Sequence, residues 1–319
     1  MPNEMNPQLQ GRILDVIKGS VATATLFLAF MMVPVLGLLP GFFTPLPAVF
    51  YRLKSGRGVG VAIVVATSLL LAAVAREPAT VAIYLLQGGI MSLALPEFLM
   101  RLKGGARSVV YSVAINLVFL LAATAIYGAV TGTPLHGKIV KGVQMSIAQT
   151  SQLYEKAGVK GDELKALQDS MHQAGEQVVQ VYPALVTVAL GLIACLNLSV
   201  LARVAQRSHI PVFLGNFRQF RNPEHLVWLL IAAGFALLLQ EPTVHLVSLN
   251  LLIVVGALYT VQGFAVISHF FRRMAIPGFM KVIGALFLLF QPFMLLVVGV
   301  LGIFDLWGDF RSPKKPQNL

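Results

Sequence analysis

The residues best able to do chemistry in this chain are the few polar side chains that interrupt its apolar runs. The acidic residues lie at or beyond the ends of those runs, and Glu97, which follows Pro96, is the one most nearly inside. Glu97 and Arg101 are four residues apart, so they share one helix face and could form an ion pair at the end of the run. Two interpretations stay open for Glu97: a structural ion pair, or a contact to a substrate where a proline distorts the helix.

Neutral amide side chains are more numerous inside the apolar runs. They are Gln87, Asn116, Asn197, Asn250, Gln262 and Gln291. In lipid, such side chains normally hydrogen bond between helices, and each bond stabilises by only about 0.6 to 2 kcal/mol. Together they could instead line one uncharged cavity, which suits a small neutral or zwitterionic solute better than a bare ion. The candidate substrate-binding residues are therefore Asn116, Asn197, Glu97 and Gln87.

Signatures of catalysis and of metal binding are missing from the sequence. The six histidines form no H-E-x-x-H motif and no metal-ligand pair four residues apart, and neither a Walker A loop nor a G-x-S-x-G motif occurs. The single cysteine, Cys195, lies in an apolar run, so it supports neither an intrachain disulfide nor a thiolate metal site. We therefore expect a protein that is not an enzyme by itself and that has no cofactor and no metal.

The elements that must position these polar groups are membrane-spanning helices. The 319 residues are 57% hydrophobic and only 12% charged, with a mean hydropathy of +0.79, whereas charged residues make up about a quarter of a soluble domain. A helix needs about 20 apolar residues to cross a hydrocarbon core. Runs of suitable length occur at 17–38, 58–75, 78–100, 107–131, 182–206, 223–240, 244–271 and 279–305. A further segment, 40–52, is short and rich in proline, so only a broken or re-entrant crossing packed inside protein fits it.

The expected fold class is an all-α polytopic membrane bundle of eight or nine transmembrane helices. The net charge of +11 reflects topology, because the basic residues lie in short loops between apolar runs. If segment 40–52 crosses, fifteen of the 24 basic residues collect on one side of the membrane. The positive-inside rule then places the N-terminus in the cytoplasm and the polar stretch 132–181 on the extracytoplasmic side. The side of the polar tail stays open.

The polar stretch 132–181 has the pattern of two amphipathic helices joined by a turn. Gly158 and Gly161 can end the first helix, and Asp162 can cap the second. We therefore expect a helical hairpin, which either connects spans, docks a partner or covers a binding site. Its two apolar faces are predicted to comprise Ile139, Val143, Ile147 and Tyr154 in the first arm, and Leu164, Leu167, Met171, Ala174 and Val178 in the second.

The loop 208–222 interleaves aromatic and basic residues. Phe213, Phe217 and Phe220 lie close to Arg218 and Arg221 in the sequence. This pattern suits nucleic acid as well as a membrane surface, but two apolar runs flank the loop. We therefore expect a short interfacial helix whose partner is the lipid bilayer, and no nucleic acid.

Three segments of the sequence carry a resemblance to a known family. They are 45–57 (PLPAVFYRLKSGR), 217–228 (FRQFRNPEHLVW) and 302–311 (GIFDLWGDFR). Each resembles a signature of the YybS-like bacterial membrane proteins, a family defined as a domain of unknown function. That family is in turn distantly similar to the S components of energy-coupling-factor transporters and to the cell-shape protein MreD.

The resemblance implies a division of the chain into domains. A six-helix unit like an S component would occupy 12–207 and include the hairpin 132–181. The loop 208–222, three helices at 223–306 and the polar tail 307–319 would follow. The first helix departs from the S-component pattern, because the alanine-xxx-alanine contact for a coupling subunit is replaced by Ser20 and Ala24.

Two functions of different kinds are expected from these features. The first is transport-related binding of a small solute or lipid-like molecule in the bacterial cytoplasmic membrane, with Asn116 and Asn197 making polar contacts. The alternative is a non-enzymatic scaffold like MreD, which docks protein partners through the hairpin and the cytoplasmic loops and binds no solute. A membrane enzyme that acts on lipid is a third interpretation. The expected partners are the lipid bilayer, proteins in the membrane and a small-molecule ligand.

Overall fold

The computed structural model describes residues 7–33, 36–102, 104–208, 210, 212, 214–274, 277–308 and 310–311. The helices among these residues are α1 (Pro7–Met32), α2 (Leu38–Phe42), α3 (Leu46–Ser55), α4 (Arg57–Ala75), α5 (Pro78–Tyr84), α6 (Ile90–Leu102), α7 (Gly105–Thr131), α8 (Leu135–Lys156), α9 (Gly161–Arg207), α10 (Leu226–Ala236), α11 (Pro242–Arg273), α12 (Gly278–Phe290) and α13 (Pro292–Gly308). A π-helical turn, Leu85–Gly89, joins α5 to α6, and a 3₁₀ turn, Phe217–Gln219, follows α9. Phe213 and residues 312–319 of the polar tail lie outside the described residues.

Six helices in the described part of the chain are long and apolar enough to cross a membrane. They are Pro7–Met32, Arg57–Ala75, Pro78–Arg101, Gly105–Thr131, Gly161–Arg207 and Pro242–Arg273. Leu226–Ala236 and Phe293–Gly308 are shorter apolar helices. A helix can cross lipid because its backbone groups hydrogen bond within the segment. The structure therefore confirms the expected all-α polytopic membrane class.

Contacts within the chain divide it into two compact units. The first comprises Met1–Leu135 and Ala189–Gly215, and the second comprises His136–Val188 and Asn216–Leu319. Helix α9 contributes to both units, because it is continuous from Gly161 to Arg207. The domain limits that the family resemblance implies stay predictions.

The core of the first unit is built from two apolar clusters. In the first, Phe27 of α1 and Tyr84 of α5 are fully buried, and their rings meet edge to face with centroids 5.5 Å apart. The second cluster joins α6 to the last part of α9 and consists of Met91, Leu95, Leu190, Ile193 and Ala194. These clusters hold α1, α4, α6 and α9 through residues far apart in the sequence.

The segment predicted as a short crossing, 40–52, forms parts of two helices, α2 and α3. Helix α3 has ten residues, which span about 15 Å, so it is too short to cross lipid alone. At its end, Lys54 Nζ lies 2.8 Å from Asp15 Oδ1, and Ser55 Oγ donates to Asp15 Oδ2 at 2.5 Å. Because Asp15 lies in the first half of α1, the broken segment returns the chain to the end of the unit at which α1 begins.

The polar stretch forms the expected hairpin, from α8 and the first half of α9. Gly158 and Gly161 lie in the turn with φ of +96° and +66°, a region that residues with a side chain rarely adopt. The arms touch at Gly175. A Cβ atom there would lie 2.8 Å from Ile147 Cδ1 and 2.9 Å from Val143 Cγ1, so the absent side chain permits this approach.

The apolar face of the second arm differs from the prediction. Ala174 and Val178 are exposed, whereas Gly175 is buried and Val179 is half-buried. Tyr154 of the first arm is also exposed. Leu164, Leu167 and Met171 are half-buried as predicted, and the prediction is wrong by one position only at Ala174 and Val178. There the arms pack closely at a glycine, which a hydropathy pattern does not identify as a packing residue.

The second arm and the following span form one helix, whereas the sequence predicted two. Helix α9 continues for 47 residues through Pro183, although a proline removes one backbone donor and usually kinks or ends a helix. The side chain of Asn250 of α11 replaces helical hydrogen bonds that are lost at Pro183. Its Oδ1 accepts the Ala184 N–H at 2.9 Å, and its Nδ2 donates to the Gln180 carbonyl at 2.8 Å. A single amide therefore satisfies backbone groups on both sides of the proline.

The run 279–305, predicted as a single span, divides at Gln291 into α12 and α13. Pro292 begins the second of these helices, where its missing N–H costs no helical hydrogen bond. The sequence prediction of one helix here is wrong because Gln291 leaves the helical conformation, with φ −120° and ψ 87°.

The loop after α9 contains no interfacial helix among its described residues. Its described part has only the 3₁₀ turn Phe217–Gln219. Arg311 instead donates to the carbonyls of Arg218 at 2.8 Å and Phe220 at 2.9 Å. These carbonyls are satisfied by a side chain from beyond α13, so the backbone near them does not need to be helical to be stable.

Candidate functional site

Two of the candidate amides meet at α2. Asn197 Nδ2 donates to the Phe42 carbonyl at 2.7 Å, and Gln87 Nε2 lies 3.4 Å from the Gly41 carbonyl. Carbonyls in the last turn of a helix lack helical partners, so α2 presents acceptors to both side chains. Gln87 itself lies in the π-helical turn, a local widening that is frequent at functional sites.

The same amides keep unused hydrogen-bonding atoms. Asn197 is fully buried, and its Oδ1 has no partner among the described residues. Gln87 Oε1 is likewise buried without a partner, as is the Oγ1 atom of Thr44. Thr44 lies next to the π turn, since a Cβ atom at Gly88 would lie 3.0 Å from Thr44 Cγ2. Acceptor atoms from three elements therefore surround the end of α2.

Asn116 of α7 is the most unusual of the candidate residues. It is fully buried, yet neither Nδ2 nor Oδ1 has a hydrogen-bond partner in the part of the chain that the structure describes. Its neighbours Val113 and Leu117 pack against the cluster that contains Ile193 and Ala194 of α9. An unsatisfied buried polar group costs about 1 to 3 kcal/mol. Asn116 therefore does not make the interhelical bond that would give it a purely structural role.

We define the neutral polar cluster as Thr44, Gln87, Asn116 and Asn197: the first, second and fourth lie around the end of α2, and Asn116 is the fully buried amide of α7. All four belong to the first unit, and none of their side chains is charged. Amides and hydroxyls donate and accept hydrogen bonds but do not act as general bases near neutral pH. The chemistry available to the cluster is therefore reversible hydrogen bonding to an uncharged guest.

Glu97 lies in a different environment from the amides. Its carboxylate contacts Arg52 directly, lies 2.6 Å from Arg101 Nη2, and lies 3.8 Å from Arg57 Nε. Arg52 is 5% exposed and also donates to the Leu93 carbonyl at 3.0 Å. A carboxylate with three guanidinium neighbours has little capacity left for a substrate, so this geometry favours the structural ion pair.

The sequence identified Arg101 as a partner of Glu97 but missed Arg52. Arg101 is one helical turn from Glu97, whereas Arg52 is 45 residues away. The available signal was weak: Arg52 is a basic residue directly after the apolar stretch 48–51.

The second unit contains a buried polar network that sequence reasoning also missed. Asp305 is fully buried, contacts Arg311 directly, and accepts from Gln262 Nε2 at 3.0 Å. Gln262 Oε1 accepts the Asn222 N–H at 2.9 Å. Asn222 and Arg311 come from two of the segments that carry the family resemblance. These segments are therefore joined by hydrogen bonds that hold the end of α13 to the loop before α10.

No group of three or more His, Cys, Asp or Glu side chains that could hold a metal occurs among the described residues. Cys195 lies in α9 and is only partly exposed. The neutral polar cluster, whose buried amide and hydroxyl atoms lack partners among the described residues, is the candidate site on which we base a function.

The fold and the sites define the class of this protein as an all-α polytopic membrane protein. Residues 21–306 match the family model described as Predicted membrane protein (DUF2232). The chain belongs to that family, which agrees with its resemblance to the YybS-like proteins. No curated protein and no solved structure gives a significant match. The distant similarity to S components and to MreD stays a prediction.

Proposed function

We propose that the first unit binds a small, uncharged, hydrogen-bonding solute at the neutral polar cluster, as part of a transport-related role. The observation that carries this proposal is the set of buried amide and hydroxyl atoms without partners at Thr44, Gln87, Asn116 and Asn197. A guest that supplies donors and acceptors would remove the desolvation cost of these atoms. The same atoms give a bare ion no compensating charge.

Binding without chemical conversion suits this cluster better than catalysis does. Amides provide neither a nucleophile nor a proton-transfer group of suitable pKa. Helices of membrane-spanning length surround the cluster, so a guest there would lie within the membrane region rather than in bulk water. In this proposal the protein lies in the bacterial cytoplasmic membrane, with its N-terminus inside and the hairpin outside.

A scaffold role is the second candidate function, and the hairpin favours it. Four large apolar side chains on the hairpin are exposed: Met145, Leu153, Tyr154 and Val178. Exposed apolar groups on an amphipathic helix pair can dock another helix. In this case the protein would join membrane partners and the neutral polar cluster would hold only water.

Two leucine substitutions with opposite expected results test the binding proposal. Asn116→Leu removes an amide with no partner, so the melting temperature should stay equal or rise while a co-purified small molecule is lost. Asn250→Leu is the matched control, because its amide bonds the backbone at Pro183; it should lower the melting temperature and keep the small molecule. The measurement is native mass spectrometry beside thermal unfolding of both detergent-purified variants.

Two results would count against solute binding. One is the absence of any stoichiometric small molecule from the wild-type protein; the other is retention of that molecule by Asn116→Leu. A protein partner captured in the same spectra, and lost when residues 151–169 are replaced by a Gly-Ser linker, would support the scaffold instead.

A further inference from the structure

A cleft opens between α1 and the corner where α3 meets α4. Its volume is about 460 Å³, which lies within the usual range of ligand pockets. The polar part of its lining includes Arg12, Ser55 and Arg57, and the apolar part includes Ile13, Ile17 and Val59. The cleft is separate from the neutral polar cluster, which shares none of these residues.

Among the described residues, no carboxylate lines the polar end of the cleft. Arg12 has no ion-pair partner among the described residues, and the side chain of Arg57 is 74% exposed with only a distant contact to Glu97. The first turn of α4 also begins here. Gly56 at its N-cap has φ +100° and provides no side chain to bond the free N–H groups, which favour an anion.

The neighbouring carboxylates are not free to bind at the polar end of the cleft, because each already has a basic partner. Asp15 bonds Lys54 and Ser55. Glu97 bonds Arg52 and Arg101. The described residues that line the cleft therefore carry two positive charges, those of Arg12 and Arg57, and no negative charge.

The apolar end of the cleft is suited to a hydrocarbon chain. Ile13 and Ile17 are 41% and 54% exposed and lie one helical turn apart on α1. They line the cleft together with Val59 and Ala62 of α4. Both helices are of membrane-spanning length and apolarity, so their outer surfaces face acyl chains. A ligand that matches both ends carries an anionic group next to a long apolar chain.

We propose that this cleft binds an anionic phospholipid, with its phosphate between Arg12 and Arg57 at the first turn of α4 and an acyl chain along Ile13 and Ile17. Guanidinium groups bond phosphate oxygens in pairs, and these charge-assisted bonds are stronger than neutral ones. The polar end of the cleft binds the phosphate, and the apolar end holds an acyl chain of the same lipid molecule. This site is independent of the proposed solute binding.

The test uses the full-length protein, delipidated in detergent and titrated with phosphatidylglycerol or phosphatidylcholine under native mass spectrometry. The wild type should bind phosphatidylglycerol at least tenfold more tightly than phosphatidylcholine. The double variant Arg12→Gln, Arg57→Gln should lose this preference. Arg107→Gln is the matched control, since it removes an exposed arginine of α7 that does not line the cleft. It should bind like the wild type.

A second pair of ligands distinguishes a lipid from a free phosphate. The variant Ile13→Ser, Ile17→Ser should weaken binding of phosphatidylglycerol several-fold while leaving any binding of water-soluble glycerol phosphate unchanged. Equal affinity of the wild type for the two phospholipids would overturn the proposal. So would full competition by inorganic phosphate at equal concentration, which would assign the arginines to a soluble anion.

Both arginines are exposed, so their replacement should not unfold the protein. Equal melting temperatures of the glutamine double variant and the wild type in lipid-free detergent would confirm this. An unchanged preference for phosphatidylglycerol in the double variant would overturn the proposal, because the binding would then occur elsewhere.

Discussion

Two kinds of amide side chain occur inside the apolar runs of the described residues. Asn250 and Gln262 have both amide atoms bonded, to backbone groups or to Asp305. Asn116 has neither atom bonded. An amide side chain in an apolar run can therefore either stabilise or destabilise the protein. The free energy of burying it depends on whether it has a hydrogen-bond partner. This difference is the reason for assigning binding to Asn116 and stability to Asn250.

The Asn250 bonds at Pro183 give a prediction about energetic coupling. Asn250→Leu should destabilise the protein by about 1 to 2 kcal/mol, because the Ala184 N–H and the Gln180 carbonyl lose a partner. Pro183→Ala removes the proline ring that distorts this turn, so the Ala184 N–H and the Gln180 carbonyl can bond each other. The double variant should therefore lose much less stability than the Asn250→Leu variant. Thermal unfolding of the wild type, the two single variants and the double variant in one detergent completes a double-mutant cycle. Strictly additive changes in stability would contradict the bridging role of Asn250.

The arms of the hairpin approach each other closely at one glycine. Gly175 lies against Val143 and Ile147. The apolar residues Met145 and Leu153 remain exposed, at 62% and 66%. Exposed apolar side chains of the first arm are therefore left for other contacts.

Gly175→Leu should separate the arms without affecting the spans. The added side chain meets Val143 and Ile147, and such overpacking costs about 1 to 3 kcal/mol. Trypsin should then cut at the lysines of the hairpin several-fold faster in native membranes. Gly191→Leu is the control, because a Cβ atom at that glycine of the same helix meets nothing within 4 Å. Equal cleavage rates in the two variants would show that the arms do not depend on this contact.

The membrane topology of the whole molecule depends on the broken segment α2–α3. Its end contacts Asp15 through Lys54 and Ser55, so the chain returns to the starting end of α1 within the first unit. In the proposed topology, this return places most loop arginines and lysines on one side of the membrane. We therefore propose that residues 10 and 54 share the cytoplasmic side and that residue 160 is outside.

Single cysteines test this topology in a Cys195→Ala background. Lys160→Cys should react with a membrane-impermeant maleimide in intact cells. Gln10→Cys and Lys54→Cys should react only after the cells are opened. The contrary result, in which Lys54→Cys reacts from outside while Gln10→Cys does not, would mean that the broken segment does not cross.

The sequence by itself determined the membrane class, the positions of most helices and the hairpin turn. Hydropathy is a property of contiguous residues, so the runs at 58–75 and 107–131 correspond closely to α4 and α7. Glycines with positive φ likewise act locally, at Gly158 and Gly161. These features need no knowledge of what packs against them.

Only the tertiary structure decided which polar groups have partners. Arg52 joins Glu97 across 45 residues, and Asn250 joins Ala184 across 66. The continuity of α9 through Pro183 depends on the second of these contacts, so the predicted division between the hairpin 132–181 and the run 182–206 is wrong. Asn116 and Asn197 were identified as candidates from their residue type alone. Their unpaired atoms became visible only with the packing of α7 and α9, because hydrogen bonds form between groups that folding brings together.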